Sequence, residues 1–225
     1  MSSNPHRILI TSGPTYEPID AVRFIGNRSS GRLGSALADE SARRGWKTTL
    51  LLGPAARQPS DSSVTIRRFQ TTSDLEALLA EELPGHDVLI QAAAVADFRP
   101  KLEPGALEKK HRRKAEGLTL HLEPTPDLFA QCTSRRRPDQ LMVGFALEPE
   151  ADLMASAHAK MARKGADLVV ANPLETMDSD MIRATVIGAP GTGLEAGVAT
   201  EGRLTKAEFA VWLLNIIAEQ LHARS

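Results

Sequence analysis

The chain has 225 residues and a formal net charge of −1 at pH 7, which disfavours a broad basic surface that binds nucleic acid or an anionic membrane. Its single cysteine, Cys132, excludes a disulfide framework and a cysteine-based metal cluster and favours a cytoplasmic protein with a buried structural thiol. The first apolar run is too short for a signal peptide or a membrane span. The length favours one domain over residues 1–225.

Short runs rich in β-branched and apolar residues alternate with helical stretches along the chain. Near-continuous apolar runs are typical of strands buried on both faces, so the pattern predicts an α/β fold with a doubly wound, mostly parallel, Rossmann-like sheet. The predicted strands are 7–12, 47–52, 64–69, 87–94, 141–146 and 167–172. The predicted helices are 34–44, 73–83, 151–164 and 206–222, the second with Ser73 as its N-cap.

Two segments break this alternation. Residues 99–125 combine a proline-rich start, a basic cluster and the alternating sequence LTLHL, which predicts a flap or arm with an exposed strand over 118–122. Beyond Pro173, short strand signals between glycine-rich turns predict a small C-terminal hairpin before the last helix.

The segment after the first strand is a candidate site, because ligands of open parallel sheets bind beyond the carboxyl ends of the strands. It lacks the Gly-x-Gly-x-x-Gly pattern, which disfavours a plain NAD-binding turn. Instead, SSGRLG (29–34) opens a helix, where the N-terminal N–H groups can bind an anion, although a plain cap fits the same pattern. Before it, Asn27 offers a carboxamide, while Arg23 suits either a carboxylate or phosphate ligand or a surface salt bridge.

The segment after the fourth strand, AAAVADFRP, is a second candidate. Its three alanines leave room for a ligand to lie on the backbone. Asp97 follows at the strand end, where a carboxylate can contact that ligand or cap a turn.

Five motifs together resemble those of phosphopantothenoylcysteine synthetases, in order and in spacing: ITSGPTYEPIDAVRFIGNRSSGRLG, AAAVADFRP, LTLHLEPTPDL, VGFALE and ARKGADLVVAN. The resemblance runs from about Ile8 to Asn172 and, more faintly, through the C-terminal helix. It implies a ligase that joins 4'-phosphopantothenate to L-cysteine, with CTP in most bacteria and ATP in eukaryotes. In that family the pantothenate carboxylate attacks the nucleotide α-phosphate, and the cysteine amine then displaces the nucleotide monophosphate from the acyl-nucleotidylate. Mg²⁺ is implied as well, since the attack on a polyphosphate needs charge neutralisation.

The resemblance also assigns roles to residues. The implied catalytic residues are Asn27, Arg23, Lys110 and Asp97. The implied substrate-binding residues are Asn27, Ala93, Ala94, Asp97 and Arg23. The implied nucleotide-binding residues are Gly13, Ser29, Gly31, Gly34, Ala92, Asp97, Lys109, Lys110, Pro126, Asp127, Leu128, Phe145, Lys160, Lys164 and Asn172. Metal ligands stay unassigned, and Arg23 is expected to reach the partner's site in a homodimer.

Some points stay open. The flap sequence EKKHRRKAEG leaves either Lys109 or Lys110 as the lid lysine, and Pro149 and 181–183 depart from the family pattern, which bears on nucleotide selectivity. The sequences AAAVADFRP and PTPDL resemble the bacterial forms of these motifs, which favours CTP as the nucleotide. Because the chain begins at the synthetase motif, we expect a separate flavin-dependent decarboxylase. Two alternatives are an NADP-binding Rossmann oxidoreductase, which the glycine pattern disfavours, and a catalytically inactive nucleotide-binding homologue, which the altered flap allows.

Overall fold

The computed structural model describes residues 5–110, 112, 117–177 and 179–224. The helices are α1 (Arg32–Arg43), α2 (Thr72–Glu82), α3 (Leu128–Arg135), α4 (Leu153–Lys164) and α5 (Lys206–Arg224). The strands are β1 (Arg7–Ser12), β2 (Tyr16–Pro18), β3 (Phe24–Gly26), β4 (Lys47–Leu52), β5 (Thr65–Arg68), β6 (Val88–Gln91), β7 (Phe98–Pro100), β8 (Leu122–Pro124), β9 (Leu141–Glu148), β10 (Leu168–Pro173), β11 (Met181–Ile182), β12 (Thr185–Gly188), β13 (Val198–Ala199) and β14 (Leu204–Thr205).

The main sheet has the strand order β13-β12-β10-β9-β6-β1-β4-β5. Neighbours from β10 to β5 pair in parallel, whereas β12 and β13 pair antiparallel at one edge. The chain runs outward from β1 through β4 to β5, then returns to β6 on the other side of β1, so the topological switch point lies between β1 and β6. The predicted α/β fold class is confirmed, and the predicted C-terminal hairpin is β12–β13, which extends the main sheet.

Both faces of the sheet are buried, which explains the continuous apolar runs of its strands. Successive side chains of a strand point to opposite faces. In β1, Ile8 and Ile10 pack in the cluster formed with α1 and α5, whereas Leu9 packs in the cluster formed with α2, α3 and α4. The site therefore rests on a sheet that is covered by helices on both sides.

The predicted N-cap of the second helix is wrong. Helix α2 is capped by Thr71, whose hydroxyl accepts from the N–H of Asp74 at 3.1 Å, while the Asp74 carboxylate accepts from the N–H of Thr71 at 2.9 Å. This reciprocal capping box satisfies two N–H groups at once, which a cap at Ser73 would not do. Helix α1 begins at Arg32, two residues before its predicted start, because Gly31 supplies the left-handed turn (φ 67°) that precedes it.

The predicted strand over 118–122 is also wrong. The strand of this arm is β8, which pairs antiparallel with β7 in the register Phe98 to Pro124 and Pro100 to Leu122. Pro100, which has no N–H to donate, is the last residue of β7, and one further bond follows from the N–H of Lys101 to the His121 carbonyl at 2.8 Å. Part of the basic run of the arm, residues 111 and 113–116, lies outside the described residues.

Two further features concern the surface of the fold. The loop after β1 contains a short hairpin, β2–β3, that the sequence analysis did not predict; in it the rings of Tyr16 and Phe24 stack at 3.7 Å. Among the described residues, none of the helices combines the length and apolar character that a bilayer span requires.

Candidate active site

A cavity of about 540 Å³ opens at the carboxyl ends of β6, β9 and β10, beside the switch point. Its walls come from the loop before α1 and the first turn of that helix, the segment after β6, the start of α3, and one face of α4. Most of the residues assigned by the resemblance line it: Asn27, Ser29, Gly31, Gly34, Ala92, Ala93, Ala94, Asp97, Pro126, Asp127, Leu128, Phe145, Lys160, Lys164 and Asn172.

Four assigned residues, all described, do not line this cavity: Gly13, Arg23, Lys109 and Lys110. Gly13 lies beneath the site, where its carbonyl accepts from the N–H of Ala94 at 2.9 Å. Arg23 lies outside, and its guanidinium forms an ion pair with Asp20 at 3.3 Å. Lys109 and Lys110 are exposed on the arm. The roles expected for these four residues therefore need a conformational change or a second subunit.

The glycines at the start of α1 allow the loop and the helix to lie directly on the end of β1. A Cβ at Gly34 would come within 2.3 Å of Ser12 Oγ, and one at Gly31 within 2.5 Å of the Ala56 Cβ. The Ser12 hydroxyl also donates to the Gly31 carbonyl at 3.0 Å. Among the described side chains, none caps the N-terminus of α1. The helix thus offers its first N–H groups and the positive end of its dipole to an anion in the cavity.

Asn27 is held against the segment that follows β6. Its Nδ2 donates to the carbonyl of Val95 at 2.9 Å. The same segment continues the pairing of β6 with β1, because the N–H of Ala92 donates to the Thr11 carbonyl at 3.2 Å. The carboxamide of Asn27 and the alanine-rich segment therefore form one wall of the cavity.

Helices α3 and α4 supply an ion pair to the opposite wall. Lys164 Nζ lies 2.9 Å from Asp127 Oδ2, and the same carboxylate caps α3 by accepting from the N–H of Ala130 at 3.1 Å. Burial alone would raise the pKa of Asp127, but the hydrogen bonds from Lys164 and Ala130 outweigh it and hold the pKa below its usual range. Asp127 is thus a structural cap as well as a cavity residue.

Lys160 lies one helical turn before Lys164 and donates to the Phe145 carbonyl. Burial, with a smaller contribution from the charge of Lys164, lowers the pKa of Lys160 to about 8. The site therefore contains an ammonium group that loses its proton close to physiological pH.

Basic side chains outnumber acidic ones around the cavity. The basic residues are Arg28, Arg32, Lys160, Arg163, Lys164 and Lys206, and the acidic ones are Asp97, Asp127 and Glu148. Such an excess favours a polyanionic ligand. The sequence analysis missed four of the cations. Arg28 precedes the SSGRLG motif and Arg32 lies within it, so both could have been noticed, and Arg163 lies beside the paired lysines. Lys206 is distant in sequence and carries no local signal.

Gln91 was missed as well. It ends β6 and lines the cavity, and its side-chain Oε1 is buried without a hydrogen-bond partner in the described part of the chain. A polar residue at the end of an apolar strand was the available signal. Asn172, by contrast, was predicted, and its Nδ2 donates to Thr176 Oγ1 at 2.8 Å.

Cys132 lies outside the cavity on the buried side of α3, as expected. Burial raises the pKa of its thiol to about 12, so the nucleophilic thiolate is strongly disfavoured. Among the described residues, no group of three or more His, Cys, Asp or Glu side chains could hold a metal ion. The acidic side chains that line the cavity, Asp97, Asp127 and Glu148, form no such group, so the described residues do not fit a protein-built Mg²⁺ cage.

Comparison with known proteins assigns the chain to a family. Residues 4–221 match the family described as DNA/pantothenate metabolism flavoprotein C-terminal domain. The chain belongs to this family. Membership in it favours the ligase hypothesis over the oxidoreductase alternative.

Two relatives and one solved structure illustrate the family. The coenzyme A biosynthesis bifunctional protein CoaBC of Bacillus subtilis is 34% identical over 168 residues, which is 75% of this chain and 40% of that protein. A cysteine/cysteine sulfinic acid decarboxylase of an unknown prokaryotic organism is 40% identical over 172 residues, 76% of this chain and 47% of that protein. The chain thus spans less than half the length of either relative.

The solved structure is the C-terminal domain of a CoaBC protein. It superposes with a TM-score of 0.76 at 30% identity, covering 97% of this chain and 96% of that domain. This match confirms the fold class and, with the family match, the resemblance found in the sequence. The chain thus corresponds in extent to the C-terminal domain named in that structure.

Proposed function

We propose that the chain is a ligase that joins 4'-phosphopantothenate to L-cysteine in coenzyme A biosynthesis. The observation that carries this proposal is the basic cavity at the switch point, where Asn27 and the Ala92–Asp97 segment face the start of α1. An anion-binding helix terminus beside a carboxamide suits a reaction in which a carboxylate meets a polyphosphate. Membership in a family with CoaBC relatives supports the same substrate class.

We further propose the route through an acyl-nucleotidylate. The pantothenate carboxylate oxygen bonds to the α-phosphorus of the nucleotide while the bond to the β-phosphate oxygen breaks and pyrophosphate leaves. The neutral amine of cysteine then attacks the acyl carbon, the acyl–oxygen bond breaks, and the nucleotide monophosphate leaves as the amine loses a proton. Positioning and charge stabilisation would dominate, as is typical for phosphoryl chemistry.

In this proposal each wall of the cavity has a task. The phosphates lie at the N-terminus of α1 and near Lys160 and Lys164, while the nucleoside lies near Phe145 and Asp127. Asn27 donates a hydrogen bond to the activated acyl group, where negative charge is concentrated. CTP as the preferred nucleotide and Mg²⁺ as its counter-ion belong to the same proposal.

The direct experiment incubates the chain with 4'-phosphopantothenate, cysteine, Mg²⁺ and either CTP or ATP, and measures pyrophosphate and the mass of the product. We expect stoichiometric pyrophosphate and phosphopantothenoylcysteine, with faster turnover in CTP. Absence of both products with either nucleotide would overturn the proposal; nucleotide binding without turnover would indicate an inactive homologue. Release of CO₂ from cysteine or cysteine sulfinate would favour the activity in the name of the decarboxylase relative.

Asn27→Asp provides a sharper test of the site. The substitution places a negative charge beside an anionic intermediate and should lower turnover by about a hundredfold or more, while the unfolding midpoint stays unchanged. Asn215→Asp is the matched control, because Asn215 is exposed on α5, does not line the cavity, and accepts a hydrogen bond from Arg44 at 2.8 Å. Equal turnover in the two variants would contradict the role of Asn27.

A further inference from the structure

Glu17 is a buried carboxylate that the proposed reaction does not use. It lies on β2, only 2% exposed, and its Oε1 accepts from both the N–H and the hydroxyl of Thr72, at 2.8 and 2.6 Å. Thr72 is the first residue of α2, so the carboxylate lies at the positive end of that helix. The carboxylate is therefore held by the start of a helix outside the cavity.

Three hydroxyl and amide protons link this carboxylate to the cavity. Thr72 Oγ1 lies 3.3 Å from Thr15 Oγ1, and Thr15 Oγ1 accepts from the N–H of Ala96 at 3.0 Å. A hydroxyl has one proton. Because the proton of Thr72 is used in the shorter bond to Glu17, the proton between the two threonines comes from Thr15. The bonds therefore all run one way, from Ala96 through Thr15 and Thr72 to Glu17.

This chain of hydrogen bonds, Ala96–Thr15–Thr72–Glu17, is shielded from water. Thr15 and Thr72 are fully buried, and Ala96 is 4% exposed. Bonds that run in one direction and end on a carboxylate polarise one another, and in a site of low dielectric constant they strengthen together. Removing one member leaves buried neighbours unsatisfied.

Ala96 belongs to the segment that carries the proposed acyl-transfer groups. Its neighbour Val95 accepts the hydrogen bond of Asn27, and its other neighbour is Asp97. On the opposite side, the N–H of Thr125 donates to the Asp97 carbonyl at 2.9 Å. Among the described residues, the glycines at the start of α1 and the paired lysines of α4 take no part in the Ala96–Thr15–Thr72–Glu17 hydrogen bonds.

We propose that Thr15 and Glu17 are positioning residues that set the Ala93–Asp97 segment, and with it Asn27, for acyl transfer, while the phosphate contacts of α1 and α4 stay in place. The inference rests on the proposed ligase function. It predicts that interrupting these hydrogen bonds lowers kcat and leaves the nucleotide KM nearly unchanged. The reason is that misplaced reacting groups lower the rate of acyl transfer while the phosphate contacts persist.

The experiment compares Thr15→Val, which keeps the shape but loses the hydroxyl, with Thr15→Ser, which restores it. Thr49→Val is the control: Thr49 is a buried threonine on β4 outside the cavity, and its hydroxyl contacts His86 Nε2 at 3.0 Å. Turnover is measured with CTP, and exchange of the Ala96 amide hydrogen is followed by NMR. We expect Thr15→Val to lower kcat about tenfold or more, with the nucleotide KM within about twofold. Its Ala96 amide should exchange faster, and Thr15→Ser should recover both values.

The possible outcomes separate the inference from the function on which it rests. Faster Ala96 exchange with unchanged kcat would overturn the positioning role. So would a loss of kcat that Thr49→Val reproduces, or a rise of the nucleotide KM in proportion. A wild-type protein without turnover would overturn the proposed ligase and the positioning role with it, and the Ala96 exchange rates would then report only whether the chain of hydrogen bonds exists.

Discussion

At the scale of single residues, two glutamines differ in how their side chains are satisfied. Gln91 Oε1 is buried without a partner among the described residues. The Nε2 of Gln140 donates to the carbonyls of Leu83 and His86, both at 2.7 Å, and its Oε1 accepts from the N–H of Arg137 at 2.7 Å. An unsatisfied buried acceptor costs stability, whereas a satisfied amide that is removed leaves its partners unpaired.

Replacing each glutamine by methionine, which has nearly the same shape, should therefore have opposite effects. We expect Gln91→Met to leave the free energy of unfolding unchanged or to raise it, and Gln140→Met to lower it by about 2 kcal/mol or more. Urea unfolding of the two variants measures both changes. A loss in Gln91→Met as large as that in Gln140→Met would mean that the Gln91 oxygen has a partner after all.

We expect Lys160 to make the affinity for the proposed nucleotide depend on pH. Its pKa is lowered to about 8 by burial and by Lys164, and only its protonated form attracts phosphates. Affinity for CTP should thus fall as pH rises through about 8, whereas in Lys160→Arg, which stays charged, this part of the dependence should vanish. Titration calorimetry from about pH 7 to 9 measures the affinity of both proteins for CTP. If affinity falls with pH equally in the wild type and in Lys160→Arg, Lys160 is excluded as the titrating group.

The contribution of Lys160 to the free energy of unfolding changes with pH in the opposite direction to its contribution to nucleotide affinity. Its folded pKa lies below its ordinary value of 10.5, so between these two values the unfolded chain binds more protons than the folded one. Stability from this group therefore rises with pH across that window. A fall in nucleotide affinity above about pH 8 is therefore not explained by the effect of Lys160 on folding.

At the scale of elements, Asp167 joins the start of β10 to three other parts of the chain: the end of α3, the end of α5 and strand β9. The carboxylate accepts from Arg136, from Arg224 of α5 at 2.8 Å, and from the N–H of Met142 at 2.7 Å. We expect Asp167→Asn to lower the free energy of unfolding by about 2 kcal/mol, because two guanidinium groups lose a mostly buried counter-charge. Asp139→Asn, in an exposed pair with Arg137, should leave the free energy of unfolding nearly unchanged. Thermal unfolding of both variants distinguishes an anchor from a surface pair.

Elements buried on both faces were the ones that the sequence predicted best. Strands β1 and β4 have the predicted bounds, because their apolar runs contain the whole signal. Strand β6 ends at Gln91 rather than at Ala94, since the alanines leave the ladder and bond singly to the end of β1. The short strands β2, β3, β7 and β8 depend on partners and prolines rather than on a periodic pattern, so periodicity could not place them.

At the scale of the whole molecule, the position of the site followed from topology. Motifs that end neighbouring parallel strands meet at one edge of the sheet, so most assigned residues reach one cavity even though they are far apart in sequence. Local motifs could not predict Lys206, which packing of the C-terminal helix brings there, nor the bond from Asn27 to Val95. Arg23 and Lys110 are the assigned catalytic residues that the fold of one chain leaves outside the cavity.

The surface around Arg23 suggests why this residue lies outside the cavity of its own chain. Val22, Phe24 and Phe98 are 62%, 49% and 55% exposed, and they lie on the hairpins β2–β3 and β7–β8, which contact each other. Exposed apolar side chains grouped in this way are typical of protein interfaces. We therefore propose a two-fold homodimer through these hairpins, in which Arg23 of each subunit serves the cavity of the other.

Mixing two inactive variants tests this arrangement. In a heterodimer of Arg23→Ala and Asn27→Asp, the subunit that keeps Asn27 receives Arg23 from its partner, so one of the two cavities is complete. Subunits that re-associate at random should then recover about a quarter of wild-type turnover. If Arg23 acted within its own chain, each cavity of the heterodimer would lack one group, and the mixture would stay as inactive as its components. Native mass spectrometry of the mixture, with one variant isotopically labelled, confirms that subunits have exchanged, so a lack of recovery in exchanged dimers would count against action across the interface.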